Sequence, residues 1–140
     1  RIVEKQKQPL LLKDGYFYIC SDALKKPLEI FKNFYRSKGL PKIKCRVDYF
    51  KTKMGVEPGE VRIMELKNRW ASCSAKKNLN FHWKSLMAPL RIIDYIVVHE
   101  LAHLLHAKHT EAFWNTLDKI MPDFKERKEW LRLNGAGMDL

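Results

Sequence analysis

The run Ile93-Asp94-Tyr95-Ile96-Val97-Val98-His99-Glu100-Leu101-Ala102-His103-Leu104-Leu105-His106-Ala107-Lys108-His109 decides how the chain reads. With Leu90 upstream, its residues Ile93, Val97, Leu101, Leu104 and Leu105 recur at helical spacing and predict a helix from about Pro89 to His106 or Ala107. Pro89 suits the first turn of such a helix. Inside it His99 and His103 lie four residues apart, on one face and one turn from each other. Two imidazoles so placed can reach one divalent ion, and the adjacent Glu100 can hold or deprotonate a water beside it. Imidazole ligands around an open position suit zinc, so Zn²⁺ is the expected cofactor. The plainer alternative is that the histidines are amphipathic side chains and the HExxH spacing is a coincidence.

A third ligand has to come from beyond this pair. His109 is ten residues after His99, and a continuous helix would set them about 15 Å apart along the axis. The helix must therefore stop near His106 or Ala107 and the chain turn back. Thr110 supports the break as a fresh N-cap, although no glycine marks it. His109 is the favoured third ligand. His106, three residues from His103 but two turns from His99, reads instead as a neighbour of the site, a substrate contact or plain surface. Glu111 is a second rival, because a carboxylate can complete a His₂Glu set.

Working outward, Arg69-Trp70-Ala71-Ser72-Cys73-Ser74 precedes this run, His109-Thr110-Glu111-Ala112-Phe113-Trp114 closes it, and Pro122-Asp123 and Trp130-Leu131 follow. Over about Asn68 to Leu133 the chain resembles the zinc metallopeptidases of the YgjP-like family, related to the Wss1/SprT-like group. The resemblance implies His99, His103 and His109 as zinc ligands and Glu100 as general base. It also implies a compact zincin-like fold, with the edge strand of a small sheet flanking the active-site helix. Ala71 departs from the family's Arg-Trp-Gly-Ser-Cys-Ser segment, and the missing glycine could alter a tight turn. Arg69, Trp70 and His106 are candidate substrate-binding residues. Trp70 also reads as core, and Arg69 as a partner for a buried acid.

Further upstream, Ser21 can cap a helix running to about Lys38 through Leu24, Leu28, Phe31 and Tyr35, with Pro27 delaying its start and Gly39 and Pro41 ending it. From Pro41 the period changes to two. Ile43, Cys45, Val47 and Tyr49 alternate with Lys44, Arg46 and Asp48, which predicts a strand with a basic wet face. Val61, Ile63 and Leu66 predict another strand, Leu79–Phe81 a third, and Tyr16–Ile19 a short one after Asp14-Gly15. Downstream, a shorter helix follows Thr110, then a turn at Met121-Pro122-Asp123 and a helix over about 124–133, before a frayed tail from Asn134 to Gly137. The expected fold class is α+β, a small mainly antiparallel sheet plus the active-site helix and C-terminal helices. A single metallopeptidase-like domain would span 1–140, with a helix-and-sheet front half at 1–81 and a zinc-binding half at 82–140.

With 140 residues, 46% hydrophobic and 31% charged, the chain can bury a core and is no highly charged disordered segment. No apolar run is long enough for a transmembrane segment. The opening Arg1 reads as a trimmed fragment, which leaves a removed leader open. Three widely spaced cysteines without a CxxC pair argue for reduced thiols and a cytoplasmic location. The formal net charge is +11, and it is uneven: residues 1–70 hold 17 basic and 8 acidic side chains, residues 71–140 hold 10 and 8. Lys42, Lys44 and Arg46 are therefore candidate anion-binding residues, and nucleic acid or another polyanion is a candidate partner beside a peptide or protein substrate. The leading reading is a zinc metallopeptidase that hydrolyses peptide bonds with a metal-activated water. One alternative is a metal-dependent nucleotide pyrophosphatase, although neither a Gly-rich phosphate loop nor a carboxylate cluster is present. The other is a basic nucleic-acid-binding module with a structural or vestigial metal site.

Overall fold

The computed structural model describes residues 2–3, 10–13, 16–20 and 27–135, with side chains described from residue 28 onward. Three short strands come first: β1 (Ile2–Val3), β2 (Leu10–Lys13) and β3 (Tyr16–Cys20). They form a sheet of order β1-β3-β2, with β1 parallel and β2 antiparallel to β3. The strand expected at Tyr16–Ile19 is β3. The Asp14-Gly15 turn, the Ser21 cap, Leu24 and the tail beyond Gly135 lie outside the described residues.

Helix α1 (Pro27–Met54) overturns the strand expected over residues 43–49. It runs through Gly39 and Pro41 without stopping. Ile43, Val47 and Phe50 are buried, at spacings of four and three, while Cys45 and Tyr49 of the alternating set are exposed. The helical period therefore governs, because burying Ile43, Val47 and Phe50 in the core outweighs the lost N–H and ring strain of one interior proline. Gly39 is not a stop signal. A Cβ built there would meet Leu86 Cδ1 at 2.2 Å, so glycine lets the helix approach the chain that crosses it.

The second sheet contains β4 (Val61–Met64), β5 (Ala71–Cys73) and β6 (Leu79–His82), in the order β4-β6-β5. Its pairing is mixed: β4 lies parallel to β6, Val61 opposite Leu79, and β5 antiparallel, Ala71 opposite Phe81. β5 is an edge strand. Positive φ occurs among non-glycine residues at Asn68 (57°) and Lys77 (65°), not at Ala71, whose methyl is buried. The alanine is accommodated without a strained turn.

A 3₁₀ helix (Trp83–Met87) leads into α2 (Leu90–Ala102), α3 (Glu111–Ile120) and α4 (Phe124–Asn134). Every residue of α2 from Ile92 to Ala102 is buried, which makes it the central element. The core around it joins Ile43, Val47 and Phe50 of α1, Leu79 and Phe81 of β6, Phe113 and Leu117 of α3, and Leu131 of α4. Asp94 is drawn into this interior and is met by Arg46 of α1, whose Nε and Nη2 donate to its two oxygens at 2.7 and 2.9 Å. Among the described residues no helix is long and apolar enough to cross a membrane.

Candidate metal centre

Helix α2 ends at Ala102, four residues before the expected stop, and the way it ends builds the site. The N–H groups of His103, Leu104 and Leu105 reach back three residues, to Glu100, Leu101 and Ala102 at 3.0–3.2 Å, so the last turn tightens to 3₁₀ geometry. The His106 N–H closes on the Ala102 carbonyl at 2.9 Å. No glycine is needed, because this tightened turn satisfies the carbonyls at the helix end. The chain then doubles back. Thr110 Oγ1 accepts the Phe113 N–H at 3.3 Å, the N-cap that its sequence position suggested.

This return brings His99, His103 and His109 together. One ring nitrogen from each lies within 4.8 Å of the others, and the ring centroids are 4.8–5.0 Å apart. His103 Nδ1 lies 3.2 Å from the His106 carbonyl. A carbonyl can only accept, so Nδ1 carries the proton and Nε2 presents a lone pair. That Nε2 stands 3.1 Å from His109 Nε2. Phe113 forms a shared aromatic wall, its centroid 4.7–5.1 Å from each imidazole. Burial, and after it the neighbouring His99 and His103, holds His109 below the usual histidine range and so favours the neutral, ligating form.

Glu100 is 1% exposed. Its Oε1 lies 3.3 Å from His99 Nδ1, while its buried Oε2 has no hydrogen-bond partner among the described residues. A buried carboxylate oxygen without a donor is costly unless another group satisfies it. Three convergent imidazoles with this oxygen beside them fit a divalent metal ion and a water next to it.

Two cavities meet at the histidines. One, of about 450 Å³, runs along Ala71–Ala75 at the edge strand and reaches Glu100, His103 and His109. The other, of about 800 Å³, borders His99 and His109 and lies between α2, α3 and α4.

The remaining candidates separate. Arg69 is exposed and lines the smaller cavity. Trp70 is buried in the core and contributes to the wall of the larger one. His106 Nε2 donates to Thr116 Oγ1 at 3.0 Å, since that hydroxyl gives its own proton to the Ala112 carbonyl, so His106 fastens the turn to α3. Glu111 is exposed at the start of α3 and is not in the converging group. Lys42 and Lys44 lie on a helix, where residues two apart face nearly opposite sides, and Arg46 is engaged by Asp94. The single basic row expected of a strand does not form. Sequence reasoning passed over Phe113 as the ring behind all three histidines. Its helical spacing after the Thr110 cap was the available signal.

No curated protein gives a significant match. Among solved structures, the chain is similar to the metallopeptidase zymogen abylysin of Pyrococcus abyssi, at 26% identity and a TM-score of 0.64, over 70% of this chain and 99% of that one. It shares its fold with the metallopeptidase zymogen jannalysin of Methanocaldococcus jannaschii, at 23% identity and a TM-score of 0.58, over 65% of this chain and 94% of that one. The domain model of the YgjP-like metallopeptidases extends over residues 6–134, beyond the motif segment at both ends, and the chain belongs to that family.

Proposed function

We propose that the chain is a zinc-dependent metallopeptidase acting on peptide or protein substrates, with residues 1–140 forming one catalytic domain. The observation that carries this reading is the convergence of His99, His103 and His109 beside the buried, unpartnered Oε2 of Glu100. The three histidines would hold the metal, with the His106 carbonyl fixing the tautomer of His103. Bound there, zinc supplies a Lewis acid that polarises the scissile carbonyl and makes a neighbouring water easier to deprotonate. Glu100 takes a proton from the attacking water as the new C–O bond forms. It then delivers the proton to the amine nitrogen as the C–N bond breaks. The open edge of β5 offers backbone groups on which an extended substrate can add as a further strand.

The pyrophosphatase and nucleic-acid readings lose their main support, because Lys42, Lys44 and Arg46 do not form one basic row. Cys45 and Cys73 are free thiols, which supports a reducing, cytoplasmic setting. The test is hydrolysis of an unstructured protein such as casein, in parallel with nucleoside triphosphates. Casein cleavage that a chelator stops and zinc restores is the expected result. Metal-dependent cleavage of the triphosphates alone would move the chain to the pyrophosphatase reading.

A further inference from the structure

The larger cavity is built unlike the smaller. Its walls are aromatic and aliphatic: Trp70 and Tyr95 are buried, Trp114 is half-buried, and Leu131 closes one side. Trp114 stacks on Phe124 at 5.6 Å between centroids and 19° between planes, which gives the wall a flat, preset surface. The mouth is basic. Lys125 and Lys128 lie on the exposed face of α4, and Lys128 Nζ sits 4.4 Å over the Trp114 ring. Glu129, the acid at the same rim, is neutralised by Arg132 within the helix, while neither Lys125 nor Lys128 has an ion pair among the described residues. His99 and His109 border the cavity, so anything seated in it lies against the candidate metal ligands.

We infer that this cavity selects the substrate, taking a large aromatic side chain next to the scissile bond, with Lys125 and Lys128 receiving a carboxylate that follows it in the peptide. This inference rests on the peptidase reading for the nature of the substrate. The cavity, at about 800 Å³, admits such a side chain with room for the adjoining backbone. An apolar, stacked wall rewards burial of an aromatic ring and offers little to a small or polar residue. Two unpaired ammonium groups at the mouth favour a carboxylate and repel a lysine, to an extent that added salt diminishes. The carboxylate can be an acidic side chain or the end of the peptide, since both present the same two oxygens.

Binding separates this inference from the hydrolase reading. The Glu100→Gln protein, supplied with zinc, is titrated calorimetrically with short, otherwise Ala/Ser peptides containing Phe-Glu, Ala-Glu or Phe-Lys. A Phe-Ala pair placed at the C-terminus, free or amidated, forms a second set. Replacing Phe by Ala is expected to weaken binding by about tenfold or more. Replacing Glu by Lys should weaken it several-fold at low salt, and the Lys125→Glu/Lys128→Glu variant should invert that order. Comparing the free and amidated peptides tells which carboxylate is received. Equal affinity for the Phe and Ala peptides, no measurable binding, or a Glu preference that survives charge reversal would overturn the inference. The peptide comparisons use unaltered lysines, so the test stands even if the charge-reversal variant does not fold. The expected binding order in peptides that the wild-type protein fails to cleave would uphold the pocket and contradict the hydrolase.

Discussion

His103 and His109 bring their Nε2 atoms to 3.1 Å from each other across the turn that ends α2. Because His103 carries its proton on Nδ1, toward the His106 carbonyl, the facing nitrogens must share either a proton or a cation. A divalent metal should therefore bind there and stabilise the fold, by about 4 kcal/mol when free metal is a thousand times its Kd. With His109 held below its ordinary value of 6.5 by burial and its histidine neighbours, that stabilisation should persist through neutral pH and fall away in acid as the imidazoles protonate. Differential scanning fluorimetry with and without zinc should show the shift, reduced in His109→Ala. Equal melting temperatures with and without zinc would contradict the assignment.

The Arg46–Asp94 pair joins α1 to α2, the two longest helices among the described residues, at a point five residues before His99. The side chains are 26% and 12% exposed, so water screens the pair only in part. Asp94→Ala should cost about 2 kcal/mol in urea unfolding, within the range of charge-assisted hydrogen bonds. Arg46→Lys should recover little of Arg46→Ala's loss, because a single ammonium cannot reproduce two parallel bonds from a planar fork. Full stability in Arg46→Lys would show that charge alone matters there.

Pro41 lies in the interior of α1, exposed, with no hydrogen to give the helix. Pro41→Ala should raise stability, by up to about 3 kcal/mol, since it restores a backbone donor and removes a ring clash. A loss of stability would mean that the proline fixes a bend on which the packing of Gly39 against Leu86 depends.

His82 is 4% exposed, and its Nδ1 accepts the Lys84 N–H at 3.0 Å, capping the 3₁₀ helix. Burial, reinforced by Lys84, sets its folded pKa below the ordinary 6.5. A depressed histidine pKa means that its stabilisation is complete above the unfolded value and is lost as pH falls through the folded one. Stability should thus decline from about pH 6.5 downward. His82→Asn, which keeps an acceptor for the cap but cannot titrate, should flatten that part of the profile. An unchanged slope would assign the acid sensitivity to other groups.

The histidine pattern, the Thr110 cap, α3, α4, β4 and β6 were legible because each carries a local signal: spacing, a capping residue, or a short apolar run between turns. Residues 41–54 were not. Gly39-Leu40-Pro41 has the composition of a helix end, and Ile43 to Tyr49 alternate, so two local signals outvoted the helical set Ile43, Val47, Phe50 and Met54. That set is decisive only once α2 is there to receive it, a tertiary fact. β5 escaped notice because three residues are too few for a period, and Ala71 gains its burial from Phe81 across the sheet. The exact end of α2 depended on hydrogen bonds from His103 to His106, which no residue type announces.

The central claim is that the converging histidines and Glu100 form a hydrolytic metal site. It is tested most directly by measuring zinc content and peptide turnover together in the wild type and in Glu100→Gln. The account predicts about one zinc per chain in both, with turnover in the wild type and a loss of several orders of magnitude in the variant. Stoichiometric zinc with undiminished turnover in Glu100→Gln would contradict it.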